Sequence, residues 1–193
     1  MEGNAKREEI LDVAEAMIRN AGFNAFSTRD VASAVGIKSA SVHYHFPTKA
    51  DMGAAVTERY TDRFLKQLGD PARFKSDPRE VVALYVNLFR ETLIRDDKLC
   101  LCAVLGAEIG GLPLEVGGHT RTFFDRNLAW LKKALTGSTK MSASEANAFA
   151  VHIMASLEGG MILSKALDKE KVFENVATML KRLCEAVVVP SGR

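Results

Sequence analysis

An all-α fold of about nine helices is what this 193-residue sequence predicts. Apolar residues recur at three- and four-residue steps almost throughout, and period-two alternation is nearly absent. Capping residues, glycines and prolines punctuate the chain at helix-length intervals. The length suffices to bury a core without help from disulfides or metals. With 47% hydrophobic and 26% charged residues, the composition is that of a globular protein rather than a disordered one. Cys100, Cys102 and Cys184 are odd in number and at no framework spacing, which points to reduced thiols. With the histidines they make no metal-ligand pattern, so neither a metal nor a cofactor is expected. The start, MEGNAKREEI, is polar, and no run approaches the roughly 18 apolar residues of a membrane span, so the expectation is a cytoplasmic protein with no membrane partner.

Taken in order, Ile10, Val13, Ala14, Met17 and Ile18 make residues 6–21 an amphipathic helix closed by Gly22. Ser27 with Asp30 is a capping box opening a second helix, which Gly36 stops. A third short helix runs over 39–46 to Pro47, and Thr48 with Asp51 opens a fourth that reaches Leu68 and Gly69. Asp77, Pro78 and Glu80 combine an N-cap, a first-turn proline and a capping carboxylate ahead of Val81, Leu84, Tyr85, Leu88 and Phe89. Residues 100–111 read as a short apolar helix. Pro113 begins another that Gly137 closes, Ser142 with Glu145 opens one reaching Leu167, and the last covers 169–187.

Residues 28–47, TRDVASAVGIKSASVHYHFP, fit a helix-turn-helix. Ala32 is the small residue at the helix crossing, Gly36 supplies the positive backbone angle of the turn, and Val31, Val35, Ile37 and Val42 form the inner face. Net charge is only +2, and the first fifty residues balance six Lys/Arg against six Asp/Glu, so affinity for DNA must rest on where the cations sit. The third helix answers that: no carboxylate lies between Ile37 and Ala50, while donors and aromatic rings surround Val42 and Phe46. In the geometry of such motifs Ser39 and Ser41 face base edges, Lys38, Tyr44 and His45 lie near phosphates, and His43 is a further DNA-binding candidate on the same outer face. Lys49 meets a phosphate at the start of the fourth helix, and Thr28 and Arg29 open the helix that crosses the backbone.

The block Arg7–Met52 resembles the DNA-binding domain of TetR regulators, whose third helix and following turn carry a tyrosine, a histidine-phenylalanine pair and a lysine, here Tyr44, His45, Phe46 and Lys49. That family often has Ser, Gly and Tyr where this chain has Lys38, Ala40 and His43, a departure that bears on operator sequence and not on the fold. The resemblance implies a DNA-binding domain over 1–50 and a helical effector-binding and dimerisation domain over 51–193. It further implies a homodimer, double-stranded operator DNA with two-fold symmetry, and repression relieved by a small-molecule effector.

In such regulators the last two long helices form the dimer interface. Here His152, Ala155, Gly159 and Ile162 line one stripe, and Phe173, Val176, Leu180 and Leu183 another; both could equally pack within one subunit. Phe89, Cys100, Phe123, Phe124, Trp130, Met154 and Met161 are candidates for an apolar effector cavity, or are plain core. Cys100, eight residues before Glu108, is similar to the sensor cysteine of the electrophile- and oxidant-sensing branch of the family, and Lys165 to that branch's partner lysine. A thiolate beside a cation would be reactive, and a buried thiol would be inert filling. An acid–base enzyme using Glu108, His119, His152 or Glu158 lacks any nucleophile elbow, phosphate loop or metal motif, so no catalysis is expected. The remaining alternative is a helical adaptor or ligand-binding protein without DNA binding, against which the acid-free third helix argues.

Overall fold

A computed structural model describes residues 2–74, 77–139 and 141–188, and among them nine α-helices and no strand. In chain order these are α1 (Glu2–Ala21), α2 (Thr28–Val35), α3 (Ser39–His45), α4 (Lys49–Leu68), α5 (Pro78–Arg90), α6 (Leu101–Ala107), α7 (Leu114–Ser138), α8 (Ala143–Leu167) and α9 (Glu170–Val188). The all-α expectation holds. The boundaries that differ have local causes. α1 begins four residues earlier than expected. α6 ends at Ala107, followed by a 3-10 turn at Ile109–Gly111, so the apolar stretch is two short pieces. Gly137 does not end α7: hydroxyls of Thr136, Ser138 and Thr139 bond the carbonyls of Lys132, Ala134 and Leu135, covering acceptors that a glycine cap would otherwise serve. The cap of α5 is Asp77 accepting from Arg79 N at 2.9 Å, with no part for Glu80, and α5 runs on into a π-helical turn at Glu91–Arg95.

Two compact units emerge, residues 1–64 with 101–124, and residues 65–100 with 125–193. This differs from the expected division at residue 50. Residues 49–64 of α4 stay with the N-terminal helices, and α6 and the start of α7 return to them: α6 packs against α1. α4 and α7 run unbroken through the crossings at residues 64–65 and 124–125, and the third crossing, at residues 100–101, follows a non-helical stretch over 96–100.

In the first unit, Ile10, Leu11, Ala14 and Ile18 of α1 are buried with Val31, Ala32, Val42 and Phe46. Arg59 and Arg63 of α4 converge on Glu15 of α1, with Arg63 Nη2 at 2.7 Å, and Glu8 and Asp12 also meet Arg59. Gly53 lets α4 approach closely: a Cβ there would lie 2.5 Å from the Phe23 ring and 3.0 Å from Val116.

In the second unit α8 and α9 pack tightly, and a Cβ on Gly160 would lie 3.3 Å from Val176. Arg90 of α5 forks onto Glu174 of α9 at 2.7 and 2.8 Å. Tyr85 donates to Asn127 Oδ1 at 3.0 Å in the core, and Trp130 Nε1 donates to Gly69 O at 2.7 Å. α8 is long and apolar enough to cross a membrane by length and composition, although no unbroken apolar run marks it in the sequence. Half of its apolar window is buried within the fold.

Gly53→Ala should destabilise the protein by about 1–3 kcal/mol, because buried Phe23 and Val116 have no room to yield. Urea denaturation measures this, and an unchanged midpoint would show that the Phe23 ring can move aside.

Candidate functional site

The helix-turn-helix forms as its residue types dictate. Ser27 and Asp30 cap α2 reciprocally, and Gly36 takes φ 73°, ψ 33°, the left-handed conformation that lets the chain turn into α3. Val31, Ala32 and Val42 are buried at the crossing, whereas Val35 and Ile37 are only half-buried. Arg7 of α1 lies over the Phe46 ring, 5.1 Å from its centroid, and so pins the end of α3 from behind.

The outward face of α3 is open. Lys38, Ser41, His43 and Tyr44 are exposed, as is Arg29 on α2, while Thr28, Ser39, His45 and Lys49 are half-buried. Tyr44 is 84% exposed, an aromatic ring held in solvent with only the His45 ring against it, 5.2 Å away and edge-on. His43 Nδ1–H donates to the Pro47 carbonyl at 3.1 Å, which fixes its ring and leaves Nε2 outward as the other polar atom. The nearest acids in sequence, Asp30 and Asp51, are spent on caps: Asp51 accepts from Thr48 N at 2.9 Å, and the Ser27 hydroxyl and amide hold the Asp30 carboxyl below its usual range.

Lys49 is placed differently from the expected free cation. Its Nζ donates to the Phe26 carbonyl and sits 4.5 Å and 4.4 Å from the Phe23 and Phe26 ring centroids. Burial lowers its pKa, against which the carboxylates of Glu108 and Asp30 pull upward. Glu108, on the turn after α6, accepts from Phe23 N–H at 2.9 Å. Gly22 makes room for it at φ 91°, since a Cβ there would fall 1.9 Å from Glu108 Oε1. Sequence reasoning weighed Glu108 as an acid-base group and as a landmark for Cys100, and missed this role. No local pattern signals a bond across 85 positions.

The proposed effector residues divide between the units. Phe123 and Phe124 belong to the first, where Phe123 packs on Tyr60 at 5.7 Å and Phe64 at 5.5 Å. Phe89, Cys100, Trp130, Met154 and Met161 belong to the second and are all buried. Trp130 is committed to Gly69 O and to the rings of Phe74 and Tyr85. Of the sensor candidates, Lys165 Nζ bonds the Asp97 carboxylate and carbonyl, and Cys100, 2% exposed, lies beside the carboxyl of Glu158. A carboxyl neighbour disfavours the thiolate that the resemblance required. Neither oxygen of buried Glu158 has an N–H or O–H partner among the described residues; burial pushes its pKa up to about 7, and the Cys100 thiol, a weak donor beside it, offsets part of that rise. No group of three or more metal-ligating side chains occurs among the described residues.

Of the expected dimer stripes, Phe173 is fully buried within its own subunit and Leu180 is 1% exposed, forming floor rather than surface. His152, Ala155, Gly159, Val176 and Leu183 line an open groove between α8 and α9, and Ser156, Leu163 and Met179 extend it. Ile162 is exposed next to it, as are Val151 and Leu167.

Comparison with known proteins agrees with this arrangement. Residues 10–56 match the family described as bacterial regulatory proteins, tetR family. The repressor KstR2 of Mycobacterium tuberculosis is 31% identical over 77 residues, which span 40% of this chain and 38% of that relative. A TetR transcriptional regulator from Legionella pneumophila superposes with a TM-score of 0.84 at 31% identity, covering 91% of this chain and 95% of that one. The reduced form of E. coli NemR superposes at 0.76 over 97% of this chain and all (100%) of its own, with 17% identity, a likeness of fold alone.

Glu108→Ala leaves the buried Phe23 amide without its acceptor and should cost about 1–3 kcal/mol in chemical denaturation. Glu108→Gln keeps an acceptor oxygen and should lose less. If both variants match the wild type, the bond does not hold this joint.

Proposed function

The chain belongs to the TetR family of bacterial regulatory proteins, and on that premise we propose that it is a cytoplasmic transcriptional repressor. It grips palindromic operator DNA as a homodimer and releases it when the C-terminal helices take up a small effector. Within residues 1–50, Lys38, Tyr44, His45, Thr28 and Arg29 serve phosphates, and Ser39, Ser41 and His43 serve base edges. Residues 51–193 carry effector binding and dimerisation, so the chain acts by binding and not by catalysis. The observation that carries this reading is Tyr44, 84% exposed on a short helix without a carboxylate. A solvent-facing tyrosine has no use in an isolated fold and suits a surface that docks on DNA. The name of KstR2, a repressor, supports the sign of regulation.

Lys49 joins the phosphate set only by leaving its ring cage, so its first contribution is to hold the α4 start against Phe23 and Phe26. Effector uptake is favoured over modification of Cys100 as the release step, because that thiol is buried beside a carboxyl. The groove and its exposed apolar rim favour α8 and α9 as the dimer face. One helix-turn-helix reads too little DNA for useful specificity, and a two-fold pair places recognition helices about 34–36 Å apart, one DNA turn.

Titration with sites selected from random DNA should show a preference for a palindrome and a steep loss of affinity with salt. Lys38→Ala should weaken binding to all sequences and reduce the salt slope by about 1, whereas Ser41→Ala should alter sequence preference more than non-specific affinity. No salt-dependent DNA binding would favour the adaptor alternative.

Leu163→Glu and Met179→Glu place charges on the groove rim and should convert a dimer to a folded monomer in analytical ultracentrifugation. A dimer that persists in both variants would move the interface elsewhere.

A further inference from the structure

Glu158 is the one charged side chain of α8 that faces inward to full burial, and both of its carboxyl oxygens lack a hydrogen-bond partner among the described residues. That is an expensive arrangement, since a buried carboxyl without donors loses its hydration and gains nothing in return. The Cys100 thiol beside it is a weak donor and does not meet the need of two oxygens. Burial raises the carboxyl's pKa to about 7, so the group is part-protonated near neutral pH, and a cation placed beside it would favour the ionised form.

The neighbours of Glu158 along the helix are apolar. Met154 and Met161 lie one helical turn before and after Glu158 on the same stripe of α8, and both are buried. Methionine is unbranched and rotates freely, so this wall can re-form around a ligand where leucine or isoleucine would resist. Just before Cys100 in the chain, α5 continues into the π-helical turn Glu91–Arg95, an irregularity that is frequent at functional sites.

We propose that Glu158, with Cys100, Met154 and Met161, is the polar anchor of an effector site selective for a lipophilic protonated amine. The ammonium N–H groups donate to the two carboxylate oxygens, and the methionines cover the apolar remainder. This rests on the ligand-responsive repressor reading given above and names the class of its effector. An N–H-bearing amine is called for rather than a quaternary ammonium, because the orphaned oxygens need hydrogen bonds as well as charge.

Calorimetric titration of the full-length protein with phenylbutylamine, phenylbutanol and phenylbutyrate isolates the polar group on a constant carbon skeleton. The amine should bind about tenfold more tightly than the alcohol, with the carboxylate weakest. Glu158→Gln should bring amine and alcohol to equal affinity. Glu158→Met removes the orphaned carboxyl altogether and should raise the thermal midpoint by about 2–4 °C while abolishing the amine preference. Absent amine binding, equal affinity of amine and alcohol for the wild type, a preference retained in Glu158→Gln, or a lowered midpoint in Glu158→Met each overturns the assignment. Operator binding by wild-type protein without added compound tests the repressor reading by itself, so the two can fail separately.

Discussion

The joint at Gly22 and Phe23 sets the geometry on which the DNA-facing surface depends. There α1 ends, the chain turns through a left-handed glycine, and the amide of Phe23 is taken up by the carboxylate of Glu108. Behind that amide, the rings of Phe23 and Phe26 hold the ammonium of Lys49, the first residue of α4. One carboxylate from the turn after α6 thus fixes where α1 stops and, through two rings, where α4 starts. α2 and α3 lie between those two points in the chain. The short helices α2 and α3 have little core of their own, and this tie supplies an external constraint that their local residues lack.

Charge placement explains how a chain of net charge +2 presents an acid-free recognition helix. The carboxylates of the N-terminal region are not fewer than usual; they are occupied elsewhere. Glu8, Asp12 and Glu15 face Arg59 and Arg63 across the α1–α4 contact, and Asp30 and Asp51 close helix caps. The arginines that pair with Glu8, Asp12 and Glu15 also join α1 to α4, while Asp30 and Asp51 accept from the hydroxyls and amides of Ser27 and Thr48 at their helix starts. What remains uncompensated near α3 is positive or neutral, and attraction for phosphate depends on that local surplus rather than on the total.

The helices and their caps were legible because their signals are local: Ser27 with Asp30, Thr48 with Asp51 and Ser142 with Glu145 each close three residues apart, as the sequence pattern implies. The outward residues of α3 were legible for the same reason, since one buried Val42 fixes the phase of a seven-residue helix. Long-range partners were not. Nothing in the sequence says that Lys49 turns inward to aromatic rings, that Glu108 caps an amide in a distant segment, or that Lys165 pairs with Asp97. On α9, apolar spacing identified the stripe but not its depth: Phe173 and Leu180 share it with Leu183, yet only Leu183 reaches the surface. Periodicity assigns a direction around a helix; how far the neighbours cover it is decided by packing.

Helix α8 carries two features that work against the stability of an isolated subunit, and they lie on opposite sides of it. Inward, Glu158 is buried without hydrogen-bond partners between Met154 and Met161; outward, Ala155, Gly159 and Leu163 line an apolar groove open to solvent. Either would be removed easily by substitution if folding were the only demand, since an apolar side chain satisfies the first position and a charged one the second. Their persistence on one rigid rod has a mechanical sense. A close-packed helix moves as a body, so a guest that repacks the inner stripe displaces the outer one by a comparable amount. On the proposed reading, a second subunit seated in the groove would feel that displacement directly.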